Sequence, residues 1–188
     1  YVIHSIHVTN IGGFSLANVS GNFNGTQYAN VSFGKTIPVP AGSAVEMLKK
    51  PKVLNPGDYI QMEADLSSTL HVTVVVESVT RALHFGSGID LSSAESYTDI
   101  YTANANSVIE SILFSNDDGT FDAKARAVWT DGSNNIQGYY CFDLIVPADS
   151  TIELLDQPKF IQSGYKVRVY SNVGGRLESI IAGKTVGS

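Results

Sequence analysis

The sequence of 188 residues predicts an all-β fold made of two similar β-sandwich modules in tandem. Short runs alternate apolar with polar residues and are rich in β-branched and aromatic side chains, which is typical of half-buried strands. Gly or Asn interrupts these runs roughly every eight to twelve residues, as in antiparallel sandwiches. The third observation is an internal repeat, because residues 37–79 align without a gap to residues 144–186.

Each copy of the repeat is predicted to contain six strands. Those of the first copy lie near residues 2–9, 15–20, 28–37, 43–48, 58–65 and 69–79. Those of the second copy lie near residues 107–115, 121–129, 138–146, 150–155, 165–171 and 176–182. Alternation places Val72, Val74 and Val76 on one face of their strand. In the second copy, alternation separates two sets of side chains: Tyr140, Phe142 and Leu144 on one face, and Tyr139, Cys141 and Asp143 on the other.

The positions that repeat are predicted to form a structural motif. Its members in the first copy are Val39, Pro40, Glu46, Leu48, Pro51 and Gly57, and those in the second are Val146, Pro147, Glu153, Leu155, Pro158 and Gly164. Lys52 likewise matches Lys159, and Val79 matches Val186. Upstream, residues 2–10 align to residues 108–116, so a single residue enters the second copy between Asn116 and Leu144.

Turn residues occupy matching places in the two copies. Residues 55–58 read Asn-Pro-Gly-Asp, a β-turn in which Pro presets φ and Gly57 takes the positive-φ position. Ser163-Gly164 fills the same place in the second copy. Prolines cannot donate to a sheet ladder, so a sheet edge or a strand change is predicted for Pro38, Pro40 and Pro147.

The repeat divides the chain into a first module at residues 1–83, a linker at residues 84–98 and a second module at residues 99–188. The linker is predicted to be flexible, because its residues 86–93 read Gly-Ser-Gly-Ile-Asp-Leu-Ser-Ser. A module of roughly 80 residues is near the lower size limit for a domain that folds alone. Packing against the sister module or other subunits is therefore expected to supply part of the stability.

Composition and charge exclude several classes of function. The net charge is -6 and the 12 Lys and Arg residues are scattered, so the basic stripe of a nucleic-acid-binding protein is missing. No stretch approaches 18 consecutive apolar residues, which predicts no membrane span. The single cysteine, Cys141, excludes an intrachain disulfide and a multi-cysteine metal site. Only 16% of the residues are charged, which favours large protein–protein contacts over a freely solvated surface.

The histidines are interpreted as structural residues. His4 and His7 are three positions apart on a strand, so they point to opposite faces and cannot chelate together. In the second copy, the positions of His4, His7 and His71 are taken by Glu110, Leu113 and Glu178. The module therefore does not depend on imidazole, and no metal or cofactor is expected.

Other candidate chemistry has a simpler explanation. Glu46 and Glu153 lie in separate modules, so they do not form the paired carboxylates of a glycosidase. Their expected role is a hydrogen bond or ion pair to the matched lysines or to a backbone amide. Residues 116–122 carry three carboxylates around a glycine, but they lack the spacing of an EF-hand, and a hairpin turn is favoured over a calcium site. Cys141 is interpreted as a small buried side chain, and no segment presents a nucleophile with a base, so no catalytic residue is assigned and the chain is not expected to be an enzyme.

The pattern Val-Pro-Ala-x-Ser-x-x-Glu-[Met/Leu]-Leu-x-x-Pro-Lys, followed by a glycine turn and two strands, resembles small β-rich virion structural proteins of tailed bacteriophages. The Tyr-Thr-Ala-Asn entry at residues 101–104 into a Val-Ile-x-Ser-Ile strand resembles them as well. The resemblance covers both copies of the repeat. It implies a non-enzymatic part of the head-to-tail connector or neck, of the tail, or of the capsid decoration, located in the virion.

Two functions are therefore weighed. The first is a structural component of a phage virion that forms homo-oligomers and binds other virion proteins, without direct contact to nucleic acid or membrane. The alternative is a carbohydrate-binding β-sandwich module of a surface or secreted protein, since β-sandwiches often bind sugars on aromatic platforms. Trp129, near the turn at Asp131 and Gly132, is the candidate platform for that alternative, although a tryptophan on a strand more often packs in a core.

Overall fold

A computed structural model describes residues 1–12, 15–66, 69–77 and 84–186, and within them every regular element is a β-strand. The strands of the first half are β1 (Val2–Asn10), β2 (Ala17–Asn24), β3 (Val31–Val39), β4 (Ala44–Glu46), β5 (Lys52–Val53), β6 (Tyr59–Ala64) and β7 (Leu70–Glu77). Those of the second half are β8 (His84–Asp90), β9 (Tyr97–Thr102), β10 (Ser107–Asn116), β11 (Ala123–Thr130), β12 (Ile136–Val146), β13 (Ser150–Glu153), β14 (Lys159–Ile161), β15 (Lys166–Ser171) and β16 (Leu177–Thr185). The predicted all-β class is confirmed.

Each half contains two antiparallel sheets. In the first half, β1 pairs with β4, β5 and β7, and a second sheet has the order β3-β2-β6. In the second half, one sheet has the order β13-β10-β16-β8 with β14 also on β10, and the other has the order β12-β11-β15-β9. Apolar side chains from the two sheets of each half meet between them, which gives a sandwich-like arrangement.

Several strand pairings of the first half recur at the aligned positions of the second half. His7 lies opposite Glu46, and the corresponding Leu113 lies opposite Glu153. The register of β1 against β7 shifts after Ile3, and the register of β10 against β16 shifts after Ile109. At these positions the aligned residues of the two halves have equivalent strand partners, whereas Val79 lies outside the described residues.

The turn predictions hold at the backbone. Gly57 has a φ of 93° and Gly164 has a φ of 83°. The amide of Asp58 donates to the carbonyl of Asn55 at 3.0 Å, which closes the predicted turn. Pro38 lies on the edge strand β3 and Pro147 follows the edge strand β12, as the missing amide hydrogen requires.

The flexible linker was a wrong prediction. Residues 84–98 contain β8, which pairs along its length with β16, and the first residues of β9, which pairs with β15. The glycines of β8 allow close packing, because a Cβ at Gly86 or Gly88 would collide with Tyr28 of the first half. These glycines let the Tyr28 side chain approach β8, whereas the composition alone suggested a spacer.

The strict alternation predicted along β12 is also wrong. Asp143 has a φ of 51°, and the register against β11 is irregular. As a result, Tyr140 and Cys141 both pack against the core of the second half, whereas Phe142 is exposed. A bulge turns the side chains that follow it and breaks the period of two.

No helix among the described residues is long and apolar enough to cross a membrane.

Candidate functional site

The contact between the two halves is centred on Lys52, whose side chain is only 1% exposed. Lys52 begins β5 in the first half, and its ammonium group donates to Oε2 of Glu153 at 2.9 Å and to the hydroxyl of Ser111. Burial lowers the pKa of Lys52, and the neighbouring carboxylate offsets part of this effect. Because both partners are buried, removal of either would leave the other charge unpaired in a dry environment.

Glu153 is held in place by its own half. Its Oε2 accepts a hydrogen bond from the Ser111 hydroxyl at 2.7 Å, and its Oε1 accepts one from the amide of Ile112 at 3.0 Å. These bonds orient the carboxylate independently of the lysine of the other half. The result is a receptor for one ammonium group, built from β10 and β13.

The first half contains the same receptor around Glu46. The carboxylate of Glu46 accepts hydrogen bonds from the Ser5 hydroxyl and from the amide of Ile6, the latter at 2.8 Å. Burial raises the pKa of Glu46, but hydrogen bonds from Ser5, Ile6 and Leu48 lower it, and the net shift is downward. Glu46 is exposed, and none of the ion pairs among the described residues includes it. This receptor is therefore formed without an ammonium group in it.

Two further lysines of the first half reach the second half. The ammonium group of Lys50 donates to the carbonyl of Glu110 at 3.3 Å and to that of Leu155. The ammonium group of Lys35 donates to the carbonyl of Asp117. These contacts add polar bonds to backbone carbonyls at other points of the inter-half contact.

A carboxylate of the second half also enters the contact. Glu178 accepts a hydrogen bond from the amide of Ser32. Burial raises the pKa of Glu178 to about 7, and the amide of Ser32 opposes this rise. The nearby Asp117 and Asp90 add to it. Glu178 is therefore a titratable group inside the inter-half contact.

Apolar side chains fill the rest of the contact. Leu113 and Ile180 of the second half belong to the hydrophobic core of the first half, where their neighbours include Phe33, Met47 and Leu48. A separate small cluster joins Val2 and Val53 of the first half to Ala182 of the second. The two halves thus share a core, because side chains of β10 and β16 lie on both faces of their sheet.

The second half has a pocket at the place where the first half receives these side chains. Its volume is about 630 Å³. It is lined by the following residues: Trp129, Tyr139, Tyr140, Leu154, Leu155, Asp156, Gln157, Lys159 and Phe160. Their counterparts in the first half include Phe33, Met47, Leu48, Lys50, Lys52 and Val53, all of which contact the second half or belong to a core shared with it. The pocket is open in this chain.

The members of the repeated motif have matching contacts in the two halves. Val39 and Val146 are buried, and their carbonyls accept hydrogen bonds from Asn10 and Asn116 at 2.8 and 3.0 Å. The carbonyls of Pro40 and Pro147 accept bonds from the serine hydroxyls three residues later, at 2.7 and 2.6 Å. Leu48 and Leu155 are buried, and Pro51 and Pro158 precede β5 and β14. The structure thus places the paired members at equivalent positions and does not bring the two sets into one site.

The residues weighed for metal or nucleophilic chemistry are dispersed. In the described part of the chain, no group of three or more His, Cys, Asp or Glu side chains is arranged to hold a metal ion. Asp118 instead accepts bonds from the amides of Thr120 and Phe121 in the loop between β10 and β11. These two strands lie in different sheets, so the prediction of a hairpin turn at residues 116–122 is wrong. Burial raises the pKa of Cys141 to about 11, so the thiol is protonated at neutral pH.

Sequence reasoning missed two functional features of this contact and one feature within each half. The partner of Lys52 lies in the opposite copy, whereas the alignment suggested that each lysine could serve the glutamate of its own copy. Glu178 drew no attention because its counterpart is His71. Asn10 and Asn116 bridge loops within their own halves, and the identity of these two aligned residues was the available signal for that role.

No protein-family model matches the chain, and no curated protein matches it in sequence. A crystal structure of the infectious bursal disease virus VP2 subviral particle overlaps 97% of this chain and 56% of its own, at 10% identity and a TM-score of 0.26. A structure of the Gx strain of the same virus overlaps 100% of this chain and 53% of its own, at 10% identity and a TM-score of 0.24. The chain thus spans about half the length of these structures. At such low TM-scores the overlaps carry no argument about its fold or function.

Proposed function

We propose that this chain is a structural, non-enzymatic component of a virion that works by binding other proteins, including copies of itself. The finer form of the proposal is a part of a tailed phage particle, in the connector or neck, the tail or the capsid decoration. The observation that carries the proposal is the contact between the halves. There, one half binds the other through a buried ion pair and a shared apolar core.

Surfaces equivalent to those already used in this contact stay exposed elsewhere on the chain. Several large apolar side chains lie on them: Val75, Tyr139, Phe142 and Phe160. Exposed apolar patches next to polar residues are typical of protein interaction sites. Assembly through these surfaces requires neither a cofactor nor a reacting group.

The test of the proposal is the presence of the chain in assembled particles. Particles from cells that express a tagged copy would be purified on a density gradient and analysed by mass spectrometry and immunogold electron microscopy. The proposal expects the tag at regular positions on the particle, at a fixed number of copies. A chain that is absent from washed particles would refute a virion role, whatever its oligomeric state in solution.

A carbohydrate-binding function is the second candidate, because the pocket at Trp129 has aromatic walls. Trp129 packs against Tyr140 with ring centroids 5.1 Å apart, and Tyr139 stands at the rim with 47% of its surface exposed. Aromatic faces of this kind can stack on sugar rings. Titration with a set of oligosaccharides, followed by Trp129 fluorescence, tests the idea. Loss of the fluorescence change in Tyr139→Ala would locate the sugar in the pocket, and no change with any sugar would reject this candidate.

A further inference from the structure

We infer that copies of this chain associate head to tail, with the pocket of one second half receiving the β1–β7 sheet of the next first half in the geometry of the inter-half contact. The inference deepens the proposed assembly function and rests on it. Two surfaces are involved. The surface of the second half comprises Phe142, Lys159 and Phe160 with the pocket between them. The surface of the first half comprises Ser5, His7, Ile11, Glu46, Thr73 and Val75.

The ion pair of the inter-half contact has a ready counterpart. Lys159 occupies the position of Lys52, and it is exposed at the start of β14. Glu46 occupies the position of Glu153 and carries the same hydrogen bonds from a serine hydroxyl and a backbone amide. Within one chain, the ammonium group of Lys159 and the carboxylate of Glu46 are both present but do not contact each other. Between two chains, Lys159 would enter the receptor at Glu46 as Lys52 enters the receptor at Glu153.

Apolar side chains match across the two surfaces as well. Val53 clusters with Ala182 in the inter-half contact, and the corresponding residues Phe160 and Val75 are 60% and 51% exposed. A large ring opposite an exposed valine would bury both. The counterparts are more apolar and more exposed than the originals, which is the pattern of a contact that another molecule completes.

A second pair of matched positions is polar in the inter-half contact and apolar on the two exposed surfaces. Lys35 bonds to the carbonyl of Asp117 in the inter-half contact. Their counterparts are Phe142 and Ile11, which are 58% and 59% exposed. The amides of Asp117 and Ile11 make equivalent backbone bonds, to Arg176 and Thr69, so the two positions are structurally equivalent. A polar contact inside the chain thus corresponds to an apolar one between chains.

The side chains that would enter the pocket differ from their counterparts in the opposite sense, because they are polar where those of the inter-half contact are apolar. The apolar Leu113 and Ile180 enter the core of the first half. Their counterparts are His7 and Thr73, and the pocket of the second half offers hydrogen-bonding groups, including Tyr139, Asp156 and Gln157. His7 and Thr73 would thus find hydrogen-bonding partners at a pocket whose walls are otherwise aromatic and aliphatic. The part of the inter-half contact formed by Tyr28 and β8 is not repeated, because residues 131–135 between β11 and β12 include no aromatic residue that could take the place of Tyr28.

The contact is heterologous, because two different surfaces meet. Such a contact produces a closed ring if the rotation from one copy to the next closes, and a filament if it does not. A ring would present twice as many equivalent modules as chains. The occupant to which the inference commits is therefore a second copy of this chain.

A charge-exchange experiment tests the contact with residues whose side chains are exposed in the single chain. The variants are Phe160→Glu, Val75→Lys and, as a matched control, Ile145→Glu, an exposed apolar residue whose counterpart Pro38 is also exposed. Sedimentation velocity over a concentration series would measure association. We expect each of the first two variants to associate at least tenfold more weakly than the wild-type chain, because an unpaired charge would be buried. An equimolar mixture of Phe160→Glu and Val75→Lys should regain association, and Ile145→Glu should behave as wild type.

The outcomes separate this inference from the proposed function. A wild-type chain that stays monomeric at about 100 µM, or variants that associate as the wild type does, overturns the head-to-tail contact. In either case the chain can still be found in purified particles, which is the independent test of the virion role. A carbodiimide cross-link between Lys159 of an isotope-labelled chain and Glu46 of an unlabelled chain would support the contact directly. Equal weakening by Ile145→Glu would contradict the assignment of the surface.

Discussion

The last strands of the two halves, β7 and β16, hold the same place in their sheets but differ in their surroundings. β16 is buried over most of its length, whereas β7 is exposed from His71 to Glu77. The difference arises from what covers each strand. β16 pairs with β8 and lies against the first half, while β7 pairs with β1 alone among the described residues. Equivalent backbones thus have different burial, and the side chains differ accordingly.

The same comparison applies to the two lysines. Lys52 is buried against a carboxylate and Lys159 is exposed, although each lysine follows a proline and begins a short strand. A residue that the repeat preserves can therefore have two roles. In one half it fixes the contact within the chain, and in the other it is available to a neighbour.

The largest expected difference in stability is between alanine substitutions of the two lysines. Lys52→Ala leaves Glu153 buried and unpaired, and should lower the free energy of unfolding by about 3–5 kcal/mol. Lys159→Ala should change it by less than about 0.5 kcal/mol, because the side chain is exposed. Urea denaturation of both variants at a low, monomeric concentration measures the difference. Equal losses would mean that the ion pair does not distinguish the halves.

A second effect follows from Glu178, whose counterpart His71 is exposed. The folded-state pKa of about 7 lies above the value of 4.5 for an unperturbed glutamate. Between these values the folded chain keeps a proton that the unfolded chain has released, so stability should fall as pH rises from about 4.5 to 7, by on the order of 2–3 kcal/mol. Glu178→Gln should remove this part of the pH dependence. Denaturation at pH 5 and pH 8 tests it, with the exposed Glu63→Gln as control, and an unchanged slope in Glu178→Gln would contradict the assignment.

The buried asparagines should give similar losses in the two halves. Each side-chain amide bonds to two carbonyls, those of Ser15 and Val39 for Asn10 and those of Phe121 and Val146 for Asn116. Replacement by alanine leaves these carbonyls without their donor and should cost about 1–3 kcal/mol in each case. Thermal unfolding measures both variants. A large loss for Asn116→Ala with none for Asn10→Ala would show that the first half does not depend on its own loops.

The smallest effect is expected at the turn glycines, and it should again be equal. Gly57→Val and Gly164→Val force a β-branched residue to a positive φ, which should cost on the order of 1–2 kcal/mol each. A Cβ at Gly164 would have no neighbour within 4 Å and one at Gly57 none closer than 3.9 Å, so the cost is conformational. Asparagine at either site should cost less, because it tolerates positive φ. Equal losses from valine and asparagine would point instead to a steric cause.

Much of the fold could be predicted from the sequence, because strands and turns are encoded locally. The alternation of apolar residues and the turn glycines predicted most of the strands. The gapless alignment matched Glu46 to Glu153, and these two residues have equivalent partners on β1 and β10. The strand β8 was missed because its glycines are typical of a linker. Only the presence of Tyr28 above Gly86 and Gly88 shows why the strand lacks side chains there.

The sequence by itself determined which residues are equivalent, and the tertiary structure decided which member of each pair is buried. Lys52 and Lys159 are identical in sequence and follow the same proline, so no local signal separates them. Burial depends on residues distant in sequence, here Ser111 and Glu153 of the other half. The candidate site was therefore hidden from sequence reasoning, since a contact between two copies of a motif appears only when both are folded and packed together.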